Sequence, residues 1–270
     1  SGLRTKKEVF QMVKDIQTFI SHFLQYSNQY VLIGGSACDM LMNEAGLEFR
    51  STKDLDLVLC AEALTDEFVR HFWDFVDKGG YEIKQKSNGD KCFYRFTKPA
   101  NADYPFMLEI LSKKPDILGN RSPGEIVPMT INEEIVSLSA ILLDEDYYNF
   151  ILSQRRELDG VVIVSPACLI PLKMRAWLDL TKRKENGEYI QSSDIKKHKN
   201  DVFRLSQLLS NHPLPNVPQS IAKDAVLFVE AMQNEEVDLK QLGVTNTTKS
   251  EILAQLISIF TAHTSVEHTA

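Results

Sequence analysis

Residues 30–60 read YVLIGGSACDMLMNEAGLEFRSTKDLDLVLC. Val31, Leu32 and Ile33 form a short apolar run that ends in Gly34-Gly35-Ser36. Residues 37–44 carry helical spacing, and Asp54-Leu55-Asp56-Leu57-Val58-Leu59 reads as a strand. Side chains alternate faces along a strand, so Asp54 and Asp56 project from one face about 7 Å apart, with Leu55, Leu57 and Leu59 on the other. Two carboxylates at the start of an apolar strand repel each other and are costly to desolvate. A divalent cation such as Mg²⁺ resolves the conflict, because it is hard and prefers oxygen ligands. Gly34 and Gly35 let the backbone come close to a ligand, the helix start that follows presents N–H groups to an anion, and Ser36 adds a hydroxyl. A phosphate cradle and a metal-binding pair, joined by one helix, are what phosphoryl or nucleotidyl transfer requires. Taken alone, the glycine pair also fits an ordinary strand-to-helix turn, and Asp54 an ordinary cap before a strand.

Working outward, residues 6–26 place Val9, Phe10, Val13, Ile16, Phe19, Ile20 and Phe23 at helical spacing, a helix expected to pack on the sheet ahead of the first strand. Residues 64–76 form a second amphipathic helix, ended by Gly79-Gly80. Strands follow at 81–84, 91–97 and 105–111, the first two a hairpin around Ser87-Asn88-Gly89-Asp90. Glu109 is one acid inside the apolar run of the third strand. It reads either as a sheet-edge acid facing water or as a third carboxylate beside Asp54 and Asp56. Residues 116–130 are loop-like, 135–143 and 161–164 read as strands, and 144–156 as helix. From Ser165-Pro166, a helix start, the pattern turns helical, with helices expected at 167–184, 191–210, 217–233 and 248–263. The fold class is therefore α+β: a mixed sheet flanked by helices over residues 1–165, then a helical domain over 166–270.

The chain has 270 residues, 43% hydrophobic and 25% charged, ordinary for a water-soluble globular protein. No apolar run has the length of a membrane span and SGLRTKKEVF does not read as a signal peptide, so no membrane is expected. Cys38, Cys60, Cys92 and Cys168 lack C-x-x-C spacing and sit in apolar surroundings, which points to a reducing, cytoplasmic setting. A net charge of −7 excludes a general nucleic-acid coat. The charge is uneven: residues 173–204 hold 9 Lys and Arg against 5 Asp and Glu, enough to meet a triphosphate or RNA, or simply to line a solvated helical face.

Lys173 lines up with Ala176, Trp177 and Leu180 near the middle of an apolar helix face. It either snorkels to the surface or is a charge held against a carboxylate or phosphate. On the next helix Asp194 and Asp201 fall almost in register, flanking His198, and either could partner the lysine. The stripe would accept an apolar residue, so Lys173→Met is expected to cost little stability.

The ordered combination of GGS, a helix and D-L-D on the next strand resembles the signature of the DNA polymerase β-type nucleotidyltransferase superfamily. Arg50, Thr52, Asp54 and Asp56, spaced R-x-T-x-D-x-D, look like the subgroup that contains the AbiEii toxins of AbiE-type toxin–antitoxin systems. Lys173-Met174-Arg175-Ala176 resembles that subgroup's K-x-x-A motif, with Asp194 or Asp201 as its later helix aspartate. The resemblance covers roughly residues 28–210; the 17 residues between Ser36 and Asp54 exceed what the superfamily's smaller members carry. It implies a nucleotidyltransferase fold in which Asp54, Asp56 and Glu109 hold two Mg²⁺ ions. Gly34, Gly35, Ser36, Arg50, Thr52 and Lys173 would bind the nucleoside triphosphate (NTP), and the nucleoside monophosphate would pass to an acceptor hydroxyl with release of pyrophosphate. The acceptor would be RNA, a tRNA end or a protein, and a cognate antitoxin would be the partner. A small-molecule nucleotidyltransferase of the antibiotic-modifying kind, and a non-catalytic nucleotide-binding module, are the rival readings.

Overall fold

Among the described residues, alternating and continuous apolar runs form eight strands. The computed structural model describes residues 16–50, 54–60, 63–87, 92–112, 118, 126–128 and 144–262, with backbone alone for 84–87, 92–93 and 126–128. The strands are β1 (Tyr30–Ile33), β2 (Asp54–Leu59), β3 (Glu82–Ser87), β4 (Cys92–Thr97), β5 (Met107–Ser112), β6 (Ile126–Pro128), β7 (Arg155–Leu158) and β8 (Val161–Val164). They make one mixed sheet in the order β6-β3-β4-β5-β2-β1-β8-β7. At its centre β2 runs antiparallel to β1 and parallel to β5, and β5 runs antiparallel to β4. The expected hairpin is the antiparallel β3–β4 pair.

Register sorts the two faces. Leu32, Leu57, Ile110 and Tyr94 stand in one cross-strand row, and Leu55, Leu108 and Phe96 in the next, all on the same face and all buried. That face meets a helix through residues 16–23 (α1) and α3 (Asp66–Gly79). Phe19 stacks edge-on against Tyr30 at 5.3 Å between centroids, and Phe72 and Trp73 reach Phe96 at 5.4 and 5.9 Å. Aromatic pairs of this kind add to the burial that fixes α1 and α3 on the sheet. Thr65 caps α3 by accepting from the Phe68 N–H, and Gly80, at φ 65°, ends it in the left-handed conformation.

α1 and α3 are also joined by a reciprocal contact. The His22 and His71 rings stack at 3.9 Å, and each ring Nε2 meets the other residue's backbone carbonyl, at 3.0 and 2.6 Å.

The chain divides into two compact units. The first comprises residues 1–40, 49–130 and 155–164 and holds the whole sheet; the second comprises 41–48, 131–154 and 165–270. Helix α2 (Gly34–Glu44) follows β1. The second unit contains α4 (Glu145–Ser153), α5 (Pro166–Glu185), α6 (Ser192–Leu205), α7 (Gln219–Met232) and α8 (Lys249–Thr261). Helix α4 groups with it because Tyr147, wholly buried, donates to Asp224 of α7 at 2.7 Å, and Ser220 donates to Asp146 at 2.9 Å. Arg175 of α5 closes the same cluster on Asp224 at 3.0 Å. Burial among these partners, with Asp224 beside it, raises the Tyr147 pKa well above the ordinary phenol value. The Lys249 ammonium donates to the carbonyls of Met232, Gln233 and Glu235 beyond the end of α7, where a cation suits the helix dipole.

Three expectations need correction. Arg155-Arg156 belong to an edge strand and not to the preceding helix, because Gln154 ends α4 and β7 turns back on β8. Residues 126–128 form a short strand parallel to β3 inside the stretch read as loop. Helix α2 begins at Gly34, so the glycines are its first turn and not a separate loop before Ala37. The expected strand at 135–143 and the tip of the β3–β4 hairpin lie outside the described residues. Among the described residues no helix is long and apolar enough to cross a membrane. Cys38, Cys60 and Cys168 are buried free thiols, and burial pushes the Cys168 pKa up.

Burial lowers the His22 pKa, partly offset by its bond to His71. Its unfolded form therefore takes up a proton first as pH falls. Its contribution favours the native state above the ordinary value of 6.5 and is lost as pH drops from there through the lowered native pKa. Urea unfolding at about pH 7.5 and about pH 5 should show a smaller acid loss in His22→Gln than in the parent protein.

Candidate functional site in the sheet

The acidic residues of β2 meet those of the neighbouring strands by register. Asp56 pairs with Ile33 on one side and Glu109 on the other, and Glu109 pairs in turn with Arg95. Residues directly opposite share a face, so Asp56, Glu109 and Arg95 form one cross-strand row on the face opposite α1 and α3. Asp54 lies two residues back on the same face, beside Met107. Asp56 is 9% exposed and Glu109 5%, so both carboxylates are largely withdrawn from water. Glu109 is thus not a sheet-edge acid facing solvent.

Arg95 holds Glu109 through a two-pronged contact. Its Nε donates to Glu109 Oε1 at 2.7 Å and its Nη2 donates to the same oxygen. Sequence reasoning missed this residue. A signal was present: in CFYRFT, strand alternation puts Arg95 on the face opposite Tyr94 and Phe96, just as Glu109 is the lone charge of MLEILS.

The start of α2 is fitted to β2. Gly34 has φ 70°, and a Cβ there would come within 1.7 Å of Asp56 Oδ2 and 2.6 Å of its carboxyl carbon. Only glycine leaves room for the Asp56 carboxylate at this turn. Ser36 is 3% exposed and its hydroxyl donates to the Asp54 carbonyl, which ties the first turn of α2 to the strand carrying both aspartates. The Arg50 guanidinium carbon lies 5.3 Å from the ring centroid of Phe49; Thr52 lies outside the described residues.

Oxygen donors on one face, with a carboxylate seated against a helix start, suit a hard divalent cation in chemical type. Among the described residues, however, no three His, Cys, Asp or Glu side chains stand close enough together to hold a metal ion. The three acids share a face without being gathered around one point, and Glu109 is engaged by Arg95.

The second unit contains the other group of expected residues. The Lys173 ammonium lies 3.1 Å from Asp201 Oδ2, and Arg204 reaches Asp201 Oδ1 at 3.5 Å. Asp201 is wholly buried, Lys173 is 6% exposed, and Asp194 is half-buried. Lys173 therefore does not snorkel. His198, on the same helix α6 as Asp201, is also buried.

No protein-family model matches the sequence, and no curated protein does. Among solved structures, an antigenic nucleotidyltransferase-like protein from Paracoccidioides brasiliensis is similar over 87% of this chain and 95% of that one, at 17% identity and a TM-score of 0.39. A likeness at this level says nothing about activity or substrate.

Two stability outcomes follow from the packing. Gly34 and Gly46 both have φ 70°, but nothing lies within 4 Å of a Cβ at Gly46. Gly46→Ala should cost about 1 kcal/mol in urea unfolding for its backbone alone. Gly34→Ala should exceed about 2 kcal/mol, since the new methyl must displace Asp56. The buried ion pair also overturns the expectation that Lys173→Met is cheap. It leaves Asp201 buried with its charge undercompensated, and should cost about 3–5 kcal/mol, much of it recovered in the double variant Lys173→Met/Asp201→Leu.

Proposed function

We propose that the chain is a divalent-metal-dependent nucleotidyltransferase that moves a nucleoside monophosphate from an NTP to an acceptor hydroxyl and releases pyrophosphate. The observation that carries this reading is the register that sets Asp56 beside Glu109, with Gly34 against the Asp56 carboxylate. Asp54, Asp56 and Glu109 would each offer an oxygen to Mg²⁺, and because the three are not gathered around one point, phosphate oxygens of the NTP would have to complete the shell. When bound, the ion neutralises triphosphate charge and makes an acceptor hydroxyl a better nucleophile. The N–H groups of the first turn of α2, at Gly34, Gly35 and Ser36, would receive phosphate oxygens, where the positive end of the helix dipole favours an anion. Ser36, already bonded to the Asp54 carbonyl, keeps that turn and the aspartates in a fixed relation.

The acceptor follows from the resemblance of R-x-T-x-D-x-D and K-x-x-A to the AbiEii toxins: an RNA or tRNA end, or a protein hydroxyl, with a cognate antitoxin as partner. One observation favours a second reading. The Arg95 fork already neutralises Glu109, as a non-catalytic relative that binds nucleotide without metal would require.

The deciding experiment incubates the protein with each labelled NTP, Mg²⁺ and total RNA or cell lysate. Label should appear in RNA or protein and depend on Mg²⁺. Asp56→Asn, which keeps the side chain's shape and loses its charge, should reduce transfer by at least about a hundredfold with an unchanged far-ultraviolet spectrum. Nucleotide binding without metal and without transfer would establish the second reading instead.

A further inference from the structure

We propose that the stacked His22–His71 pair is a proton-operated latch: it holds α1 on α3 above about pH 7, and uptake of two protons between about pH 7 and about pH 5 releases α1 and opens the aromatic cluster it covers.

The geometry of the pair carries it. The rings lie 22° from parallel with centroids 3.9 Å apart, and each Nε2 meets the other residue's backbone carbonyl, at 3.0 and 2.6 Å. A carbonyl oxygen only accepts, so both Nε2 atoms carry a proton and donate, and a further proton has to enter at Nδ1. Two such protons would set two positive charges face to face in a half-buried stack, where each opposes the other. The carboxylates of α3 that face the pair are engaged elsewhere. Asp74 lies 3.9 Å from His22 but only 2.6 Å from the Lys78 ammonium, and Glu67 accepts from the Tyr26 hydroxyl at 3.1 Å, with Arg70 beside them. The remaining faces are rings and not counter-ions: Tyr26 against His71, and Phe23 and Phe75 against His22.

α1 is the element such a charge can move. It takes no part in the strand ladder and is held by Phe19 on Tyr30 and Phe75 and by Phe23 on Phe68 and Phe72. Its release leaves every strand pairing intact and uncovers Phe68, Phe72 and Phe75, all buried while it is in place. Once released, both rings are imidazoles in water and take up a proton each near about pH 6.5. The open form thus binds more protons than the stack, and each extra proton raises its population by up to about tenfold per pH unit as pH falls. Burial already lowers the His22 pKa in the closed form, which acts in the same direction.

The test is native-state hydrogen exchange on the full chain from about pH 7.5 to about pH 5, corrected for the intrinsic pH dependence of exchange, comparing amides of residues 20–23 with those of β2 and β5. In the parent, the opening constant of α1 should rise at least about tenfold per pH unit below about pH 6.5, while β2 and β5 stay protected. His22→Gln and His71→Gln, which keep an N–H donor for the facing carbonyl, should each weaken that dependence, and the double variant should remove it. If the variants do not fold, nuclear magnetic resonance titration of the two histidine rings in the parent serves: the second proton should arrive together with the loss of α1 protection. Opening of α1 that does not change with pH would overturn the latch. So would opening shared equally by β2 and β5, a pH dependence kept in the double variant, or two charged rings with α1 still protected.

Discussion

The pairing of β2 with β5 is the constraint on which the first unit depends. It is parallel, so no hairpin turn enforces it; the two strands are held by their ladder and by what their faces bury. A slip of one residue would carry Leu55, Leu57 and Leu59 off the face that α1 and α3 cover. It would also break the row in which Asp56 meets Glu109. The apolar face therefore sets the geometry of the polar one. The aromatic contacts of Phe72 and Trp73 with Phe96 lock β4 in the same register and bring Arg95 opposite Glu109.

The second unit uses buried aspartates in another way. Asp201 gathers Lys173 and Arg204, and Asp224 gathers Tyr147 and Arg175. Each aspartate is reached from a different helix, so each network pins helix pairs to one another: α5 with α6, and α4 and α5 with α7. Leu or Met at these positions could bury as much surface, but without directional bonds to distinguish one helix register from another.

Much of this was legible in the residues. The alternation in DLDLVL shows which side of β2 is acidic, and the apolar spacing from 166 onward shows the helices. What could not be read has physical causes. Arg155-Arg156-Glu157-Leu158 alternates between exposed and half-buried, so β7 has no apolar face to betray an edge strand. β6 is three residues long, too short to carry a period. The role of Arg95 depends on which strand lies beside β5, and a strand's neighbours are set by the whole sheet. Asp194 and Asp201 are seven residues apart, about two helical turns, so spacing alone could not reveal that Asp201 is the fully buried one.

The strand order has a consequence for how the chain is made. β1 is bordered by β2, which follows it closely, and by β8, whose Ile163 pairs with Leu32 across most of the sheet-forming sequence. During synthesis, one edge of a fully apolar strand waits for a partner that leaves the ribosome only after every other described strand has done so. Pairings this distant in sequence form slowly, and an open apolar edge is a template for strands of other chains. Truncation before residue 161 would make that transient edge permanent and leave a self-associating fragment.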